Sequence, residues 1–243
     1  MGSSPQRNQR IIEAFHSTRM QPYRQAAHHN DKRALTLYRW HGDLTAAVQT
    51  VLGSVEVVLR NAMDRELQVW NGAQPDGSPS WLLNTPATPL KSLSGAKWIT
   101  ANDQAISAQK ARQPHHRRHG VSITHDDVLA QTSFSLWREL LPNHVAGAAD
   151  NTENRGRTRL WGEALINSFP NETDPDGEKT FWRVTHLYGL RNRVSHMEPL
   201  LNVDVADHMQ EAFDLLRSID TDVAAWVSGG SQVSAILNRR PDV

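Results

Sequence analysis

"ALTLYRWHGDLTAAVQTVLGSVEVVLRNAMDRELQVW", residues 34–70, decides the fold class. Leu44, Val48, Val51, Val55, Val58 and Ala62 recur at steps of four and three, which places them on one face of a helix turning every ~3.6 residues. Alternation of β-branched residues, the mark of a strand, is scarce here and along the chain. The fold class is therefore all-α. Gly42 and Gly53 each weaken a helix, so they mark where this one can bend or break.

The same reading extends outward. "NGAQPDGSPSWLLNTPATPLKSLSG" is a loop by its Gly, Pro and Ser content, and a helix over about 95–111 follows. "KARQPHHRRHG" is a basic, His-rich break. In "THDDVLAQTSFSLWRELLP" Thr124 precedes Asp127 by three residues, a capping box with Asp in place of Glu, and Pro142 lies just past the segment's end. Residues 147–157 read as a polar loop, "RTRLWGEALINSF" as a short amphipathic helix and "PNETDPDGE" as a turn region. A helix over about Lys179–Met197 ends before Pro199, which disfavours helical geometry at Glu198. Another spans about Val203–Ser218, and Asp220 caps a last one, "TDVAAWVS", that meets Gly229 and Gly230. There is no internal repeat and no clean linker. Residues 1–18 read as a partly disordered N-terminal segment, 19–230 as one helical domain and 231–243 as a tail, with disorder expected at both extremities.

Composition removes whole classes of function. Lys plus Arg and Asp plus Glu are 26 each, so no strong basic excess marks a general nucleic-acid binder, although a local cluster still steers a polyanion. Cysteine is absent, which excludes disulfides, thiol catalysis and Cys-ligated zinc. No apolar run of about 18 residues stands out, and "MGSSPQRNQRII" lacks the apolar stretch of a secretory signal. The expectation is a cytoplasmic protein with no membrane partner.

One segment does not fit a core helix. "LYGLRNRVSHMEPLL", residues 187–201, sets Arg191, Asn192, Arg193 and His196 within six positions of an otherwise apolar run. Asn192 and His196 are four apart and share a face. Arg191 lies about 100° round the axis from Asn192, within reach of the same patch by its length. His196 falls in the last turn, where the helix dipole favours a cation. A proton-moving histidine, a permanent cation and an orienting amide suit phosphodiester cleavage in RNA, where the 2′-hydroxyl is the nucleophile and no metal is needed. The plain alternative is that Arg and His near a helix C-terminus answer the dipole alone.

Arg, a polar residue, three more positions and His form the signature of the HEPN superfamily, and residues 191–196 resemble it. The wider chain is similar to the Abi-like family, bacterial HEPN proteins of abortive infection against phage. "ALTLYRWHGDLTAA", "EVVLRNAMDREL", "AQTSFSLWRELL", "RNRVSHMEPL" and a late "AAWV" occur in the family's order over roughly residues 20–228. Against the family pattern, His41 stands where asparagine is usual and Met197 where a second histidine is frequent, which leaves His196 as the motif's one histidine. The resemblance implies a HEPN-like helical bundle with additional helices and loop insertions. It implies metal-independent endoribonuclease activity without a cofactor, in phage defence or as a toxin. It also implies a homodimer whose two motifs meet in a shared cleft, and an antitoxin or defence-system partner. Arg191 would bind the scissile phosphate, His196 act as general acid or base, and Asn192 orient one of them. Some relatives have lost activity, so a non-catalytic RNA- or protein-binding module is the alternative.

Other residues carry two readings each. Glu56 precedes Arg60 by four, the favourable order for a surface ion pair; alternatively Glu56, Arg60 and Asn61 support the Arg191/His196 patch. Arg112, Arg117 and Arg118, with Arg193, can guide a phosphate backbone; alternatively loop 112–119 is simply solvated. His115 and His119 have a metal-compatible spacing on a helix, but Pro114 and Gly120 argue against one, and no metal site is read. His28 and His29 read as surface residues. Trp40, Trp98, Trp137, Trp161, Trp182 and Trp226 read as core packing.

Overall fold

A computed structural model describes residues 5–148 and 151–242, and every described element is helical. The elements are α1 (Pro5–Ala14), α2 (Ser17–Ala26), α3 (Asp31–Gly72), α4 (Leu90–Lys110), α5 (His125–Leu129) and α6 (Phe134–Leu140). They continue with α7 (Thr152–Glu163), a 3₁₀ turn (Leu165–Ser168), α8 (Glu178–Ser195), α9 (Val205–Ile219), α10 (Thr221–Gly230) and α11 (Val233–Leu237).

The 42-residue α3 is the axis of the molecule. Asn30 caps it by accepting the Arg33 amide at 3.1 Å. Leu44, Val48, Val51, Val55 and Ala62 are buried and Val58 is partly so, which is the stripe that the three-and-four spacing marks. Neither Gly42 nor Gly53 interrupts the helix, and a Cβ at either would meet nothing within 4 Å. Burial of the stripe outweighs the ~1 kcal/mol of helix propensity lost at each glycine. Around α3 pack α1, α2, α6, α8, α9, α11 and the 3₁₀ turn, while α4 with α5, α6 and α7 makes an outer layer. By length and composition α3 is also apolar enough to cross a membrane, with an 18-residue window of mean hydropathy 1.2. The buried stripe of α3 belongs to the core that it shares with its neighbours.

Several boundaries differ from the sequence reading. Residues 152–157 are not loop but the first turns of α7, capped by Asn151 on the amides of Glu153 and Asn154. The segment from Thr124 to Leu141 is two short helices; the capping box at Thr124 and Asp127 is formed, but α5 stops at Leu129. Residues 5–14 form α1 against α3, and the 231–243 tail contains α11, also against α3, where Trp40 Nε1 donates to the Ile236 carbonyl at 2.8 Å. Residues 1–4 and 243 of the expected disordered ends lie outside the described residues. Trp137 and Trp161 are buried and Trp98 and Trp182 partly so, but Trp226 is 78% exposed and is not core.

Candidate active site

The polar segment sits at the end of α8. Asp174 starts this helix by accepting from the Thr180 amide at 2.9 Å, the Thr180 hydroxyl at 2.7 Å and the Lys179 amide at 3.3 Å. Phe181, Val184, Leu187, Leu190 and Val194 are buried along one side. That commitment turns Asn192, Arg193, Ser195 and His196 outward, with Arg191 on the flank that meets α3.

The helix ends in a Schellman motif. Met197 donates to the Val194 carbonyl (3.0 Å) and Glu198 to the Arg193 carbonyl (2.8 Å), with Met197 left-handed at φ 54°. A non-glycine residue there is strained and needs outside support. Side chains supply it at four successive carbonyls: Arg19 donates to those of His196 (3.4 Å) and Met197 (2.8 Å), His41 to that of Glu198 (3.1 Å) and Arg193 to that of Pro199 (3.4 Å). Since His41 Nε2 donates, its Nδ1 accepts from the Tyr23 hydroxyl at 3.0 Å. Burial lowers the His41 pKa and raises that of Tyr23, so both stay neutral. His41 thus has a definite job: it ties α3 to the turn after His196. Sequence reasoning missed Arg19 and Tyr23, because neither stands near a motif.

The backbone at His196 is clamped while its ring is exposed and makes no hydrogen bond among the described residues. Asn192 is half-buried, with its amide equally uncommitted. Arg191 has its Nε 3.7 Å from Glu56 Oε2, an ion pair too long for a hydrogen bond, and this buried Nε has no hydrogen-bond partner. Asn192 and His196 are about 40° apart on the helix, but Arg191 and His196 are about 140° apart. The three therefore span an arc, and no hydrogen bond or ion pair joins Arg191 to His196.

Glu56 faces Arg191 rather than Arg60, so the local Glu56–Arg60 pair is not formed. Arg60 Nε instead contacts Asn61 Oδ1 at 3.4 Å, and neither residue is bonded to α8 among the described residues. Arg193 is half-exposed and lies 3.7 Å from Glu198.

Loop 112–119 is bound inward. Arg118 grips both Asp127 oxygens at 2.6 Å and Arg112 takes Oδ1 at 3.0 Å. Arg112 also donates to the carbonyls of Arg118 (3.3 Å) and Val121 (3.2 Å). The Arg118 guanidinium holds the Asp127 carboxyl well below the usual carboxylate range. The donors of Arg112 and Arg118 are thus engaged by Asp127 and backbone carbonyls. Arg117 remains exposed.

Two further constellations were not read from sequence. Ser80 Oγ is 2.8 Å from His125 Nδ1, and His125 Nε2 is 2.9 Å from the buried Asp64. The Leu83 amide donates to Ser80 Oγ (3.1 Å), and Trp81 Nε1 and Gln68 Nε2 donate to Asp64 (2.8 Å each), so this is a satisfied strut from α3 to α5. The ligand atoms of His144, Asp176 and Glu178 lie within 4.8 Å of one another, close enough to share a cation. His144 Nε2, however, already donates to the Asp176 carbonyl at 3.1 Å. This cluster is at the start of α8, about 20 Å along the helix from Arg191. Comparison of the chain with protein-family models, with curated proteins and with solved structures gives no match.

Proposed function

We propose that the protein is a HEPN-like, metal-independent endoribonuclease of the cytoplasm, acting in phage defence or as a toxin. The observation that carries this reading is Arg191: a half-buried cation with an orphaned Nε, held near Glu56 but not saturated by it, five residues before a histidine whose ring makes no hydrogen bond among the described residues. Nε itself is buried, but the side chain is one third exposed and its terminal nitrogens make no hydrogen bond among the described residues, so they can take an incoming phosphate oxygen.

The chemistry uses side chains alone. The 2′-hydroxyl attacks phosphorus as its proton passes to the neutral His196 imidazole. The P–O5′ bond breaks, leaving a 2′,3′-cyclic phosphate and a 5′-hydroxyl, and an imidazolium returns the proton to the leaving oxygen. Arg191 stabilises the charge that grows on the phosphoryl oxygens. Asn192, about 40° from His196 on the helix, orients the ring or the substrate.

The arc between Arg191 and His196 favours a site completed by a second copy of the chain, the homodimer with a shared cleft that the family resemblance implies. Exposed Trp226 beside an apolar cavity of about 560 Å³ between α3 and α10 is a surface suited to such an interface. An antitoxin or defence-system partner belongs to the same reading. The alternative, a non-catalytic RNA- or protein-binding module, draws on the same Arg191 geometry, since anion capture needs no proton transfer.

The test is cleavage of mixed cellular RNA in the presence of a chelator, with wild type beside Arg191→Ala and His196→Ala. Cleavage by wild type alone is expected. Equal cleavage by His196→Ala removes the assignment, and RNA binding without cleavage by wild type selects the binding module.

A further inference from the structure

We infer that the cavity beside the α8 terminus is a nucleobase pocket, which selects the base next to the cut; this rests on the ribonuclease reading. The cavity holds about 520 Å³, within the range of small-ligand sites. It opens between α2, the end of α8 and the segment leading into α9. Two of its lining residues bracket the candidate general acid–base: Arg193 stands three residues before His196 and Pro199 three after. In this reading the strand lies with its phosphate at His196 and an adjacent base in this opening.

The lining has the chemistry of a base site. Pro22, Pro199 and Val203 give apolar walls for the faces of a flat ring. Gln25 and Asn202 are exposed lining residues whose side-chain amides make no hydrogen bond among the described residues. An amide offers one acceptor and two donors, the complement of a base edge. Arg193 adds a cation, tethered at the Pro199 carbonyl by one nitrogen and 3.7 Å from Glu198, so most of its donors stay available for a phosphate or a ring face. A cavity of mixed polar and apolar lining with free amides and a cation suits a ribonucleotide better than an aliphatic ligand, which has no use for the amides, or a bare anion, which has no use for the apolar walls.

The test separates this pocket from the cleavage chemistry. The four ribonucleoside 3′-monophosphates are titrated into the full chain, as wild type, as Gln25→Ala with Asn202→Ala, and as Arg191→Ala. Both amide residues are exposed and unbonded, so the double variant keeps its melting temperature. We expect one nucleotide to bind wild type at least about five-fold tighter than the others, the double variant to lose that preference, and Arg191→Ala to weaken all four alike. Sequencing of RNA ends should then find a preferred base beside the cut for wild type and none for the double variant. No binding of any nucleotide, or a preference that survives the double substitution, overturns the pocket. If the preference behaves as expected while His196→Ala still cleaves, the pocket stands and the ribonuclease reading falls.

Discussion

Two stretches of this chain are rich in arginine and histidine, and the fold treats them in opposite ways. In loop 112–119 one carboxylate, Asp127, takes three hydrogen bonds from Arg112 and Arg118, the longest 3.0 Å. His119 Nδ1 donates to the Arg112 carbonyl at 2.8 Å. At the end of α8, Glu56 stops 3.7 Å short of Arg191, and the side chains of Asn192 and His196 make no hydrogen bond among the described residues. Local charge density is similar, but donor satisfaction is not. A cation whose partners are already in place holds a loop, whereas one left short of partners invites a ligand.

The widest break in this comparison comes from substituting both sets. Arg191→Ala and His196→Ala should each lower RNA cleavage about 10²–10⁴-fold. His196→Ala should leave thermal stability within about 0.5 kcal/mol, because its ring supports nothing. Arg112→Ala and Arg118→Ala should do the reverse, lowering the melting temperature while cleavage per folded molecule persists. Cleavage lost with Arg118 at unchanged stability would return that loop to the functional surface.

Asp127→Asn comes next. It removes the shared acceptor and one half of the capping box, and we expect a loss of about 1–3 kcal/mol. The sign with pH follows from the depressed carboxyl. Its stabilisation is fully present above the ordinary value near pH ~4 and is lost as pH falls below it. A melting-temperature profile between pH 2 and 5 should therefore be flatter in Asp127→Asn than in wild type. An unchanged slope would mean that these ion pairs contribute nothing to stability.

His41 sharpens the other side. Because burial holds its pKa down, its contribution is complete above about pH 6.5 and fades as pH falls, when protonation favours the unfolded chain. His41→Leu, which cannot donate to the Glu198 carbonyl, should lower cleavage about ten-fold by loosening the turn. His41→Asn, which keeps a donor, should recover part of that loss and remove this acid-side effect on stability. Equal activity of all three proteins between pH 6 and 8 would show that the clamp does not position His196. The smallest change expected is Gly53→Ala, which should stabilise by about 0.5–1 kcal/mol since its Cβ enters open space on a regular helix. Denaturant unfolding would measure it, and destabilisation would mean that this surface of α3 is covered in solution.

Much of the fold was legible because helices are written in local code. The α3 stripe from Leu44 to Ala62, the Thr124–Asp127 box, the Asp220 cap and the α8 stop before Pro199 all act within four or five residues. The residue types at 191–196 were legible too, as was Glu56 as a candidate neighbour. The errors lie where local code is mute. Trp226 has the hydrophobicity of a core residue but no element over it, and α11 lacks a side-chain cap yet is held against α3 by packing and by Trp40.

By itself, then, the sequence determined that the chain is helical, where most helices begin and end, and that residues 191–196 carry unusual polar chemistry. Only the tertiary structure decided which cations are spent and which remain open. Asp127 reaches Arg112 across 15 positions, Glu56 meets Arg191 across the helix interface, and the clamp on the His196 turn spans 157 positions from His41 and 178 from Arg19. Helical periodicity is set by contacts between near neighbours, whereas donor satisfaction depends on groups that only folding brings together.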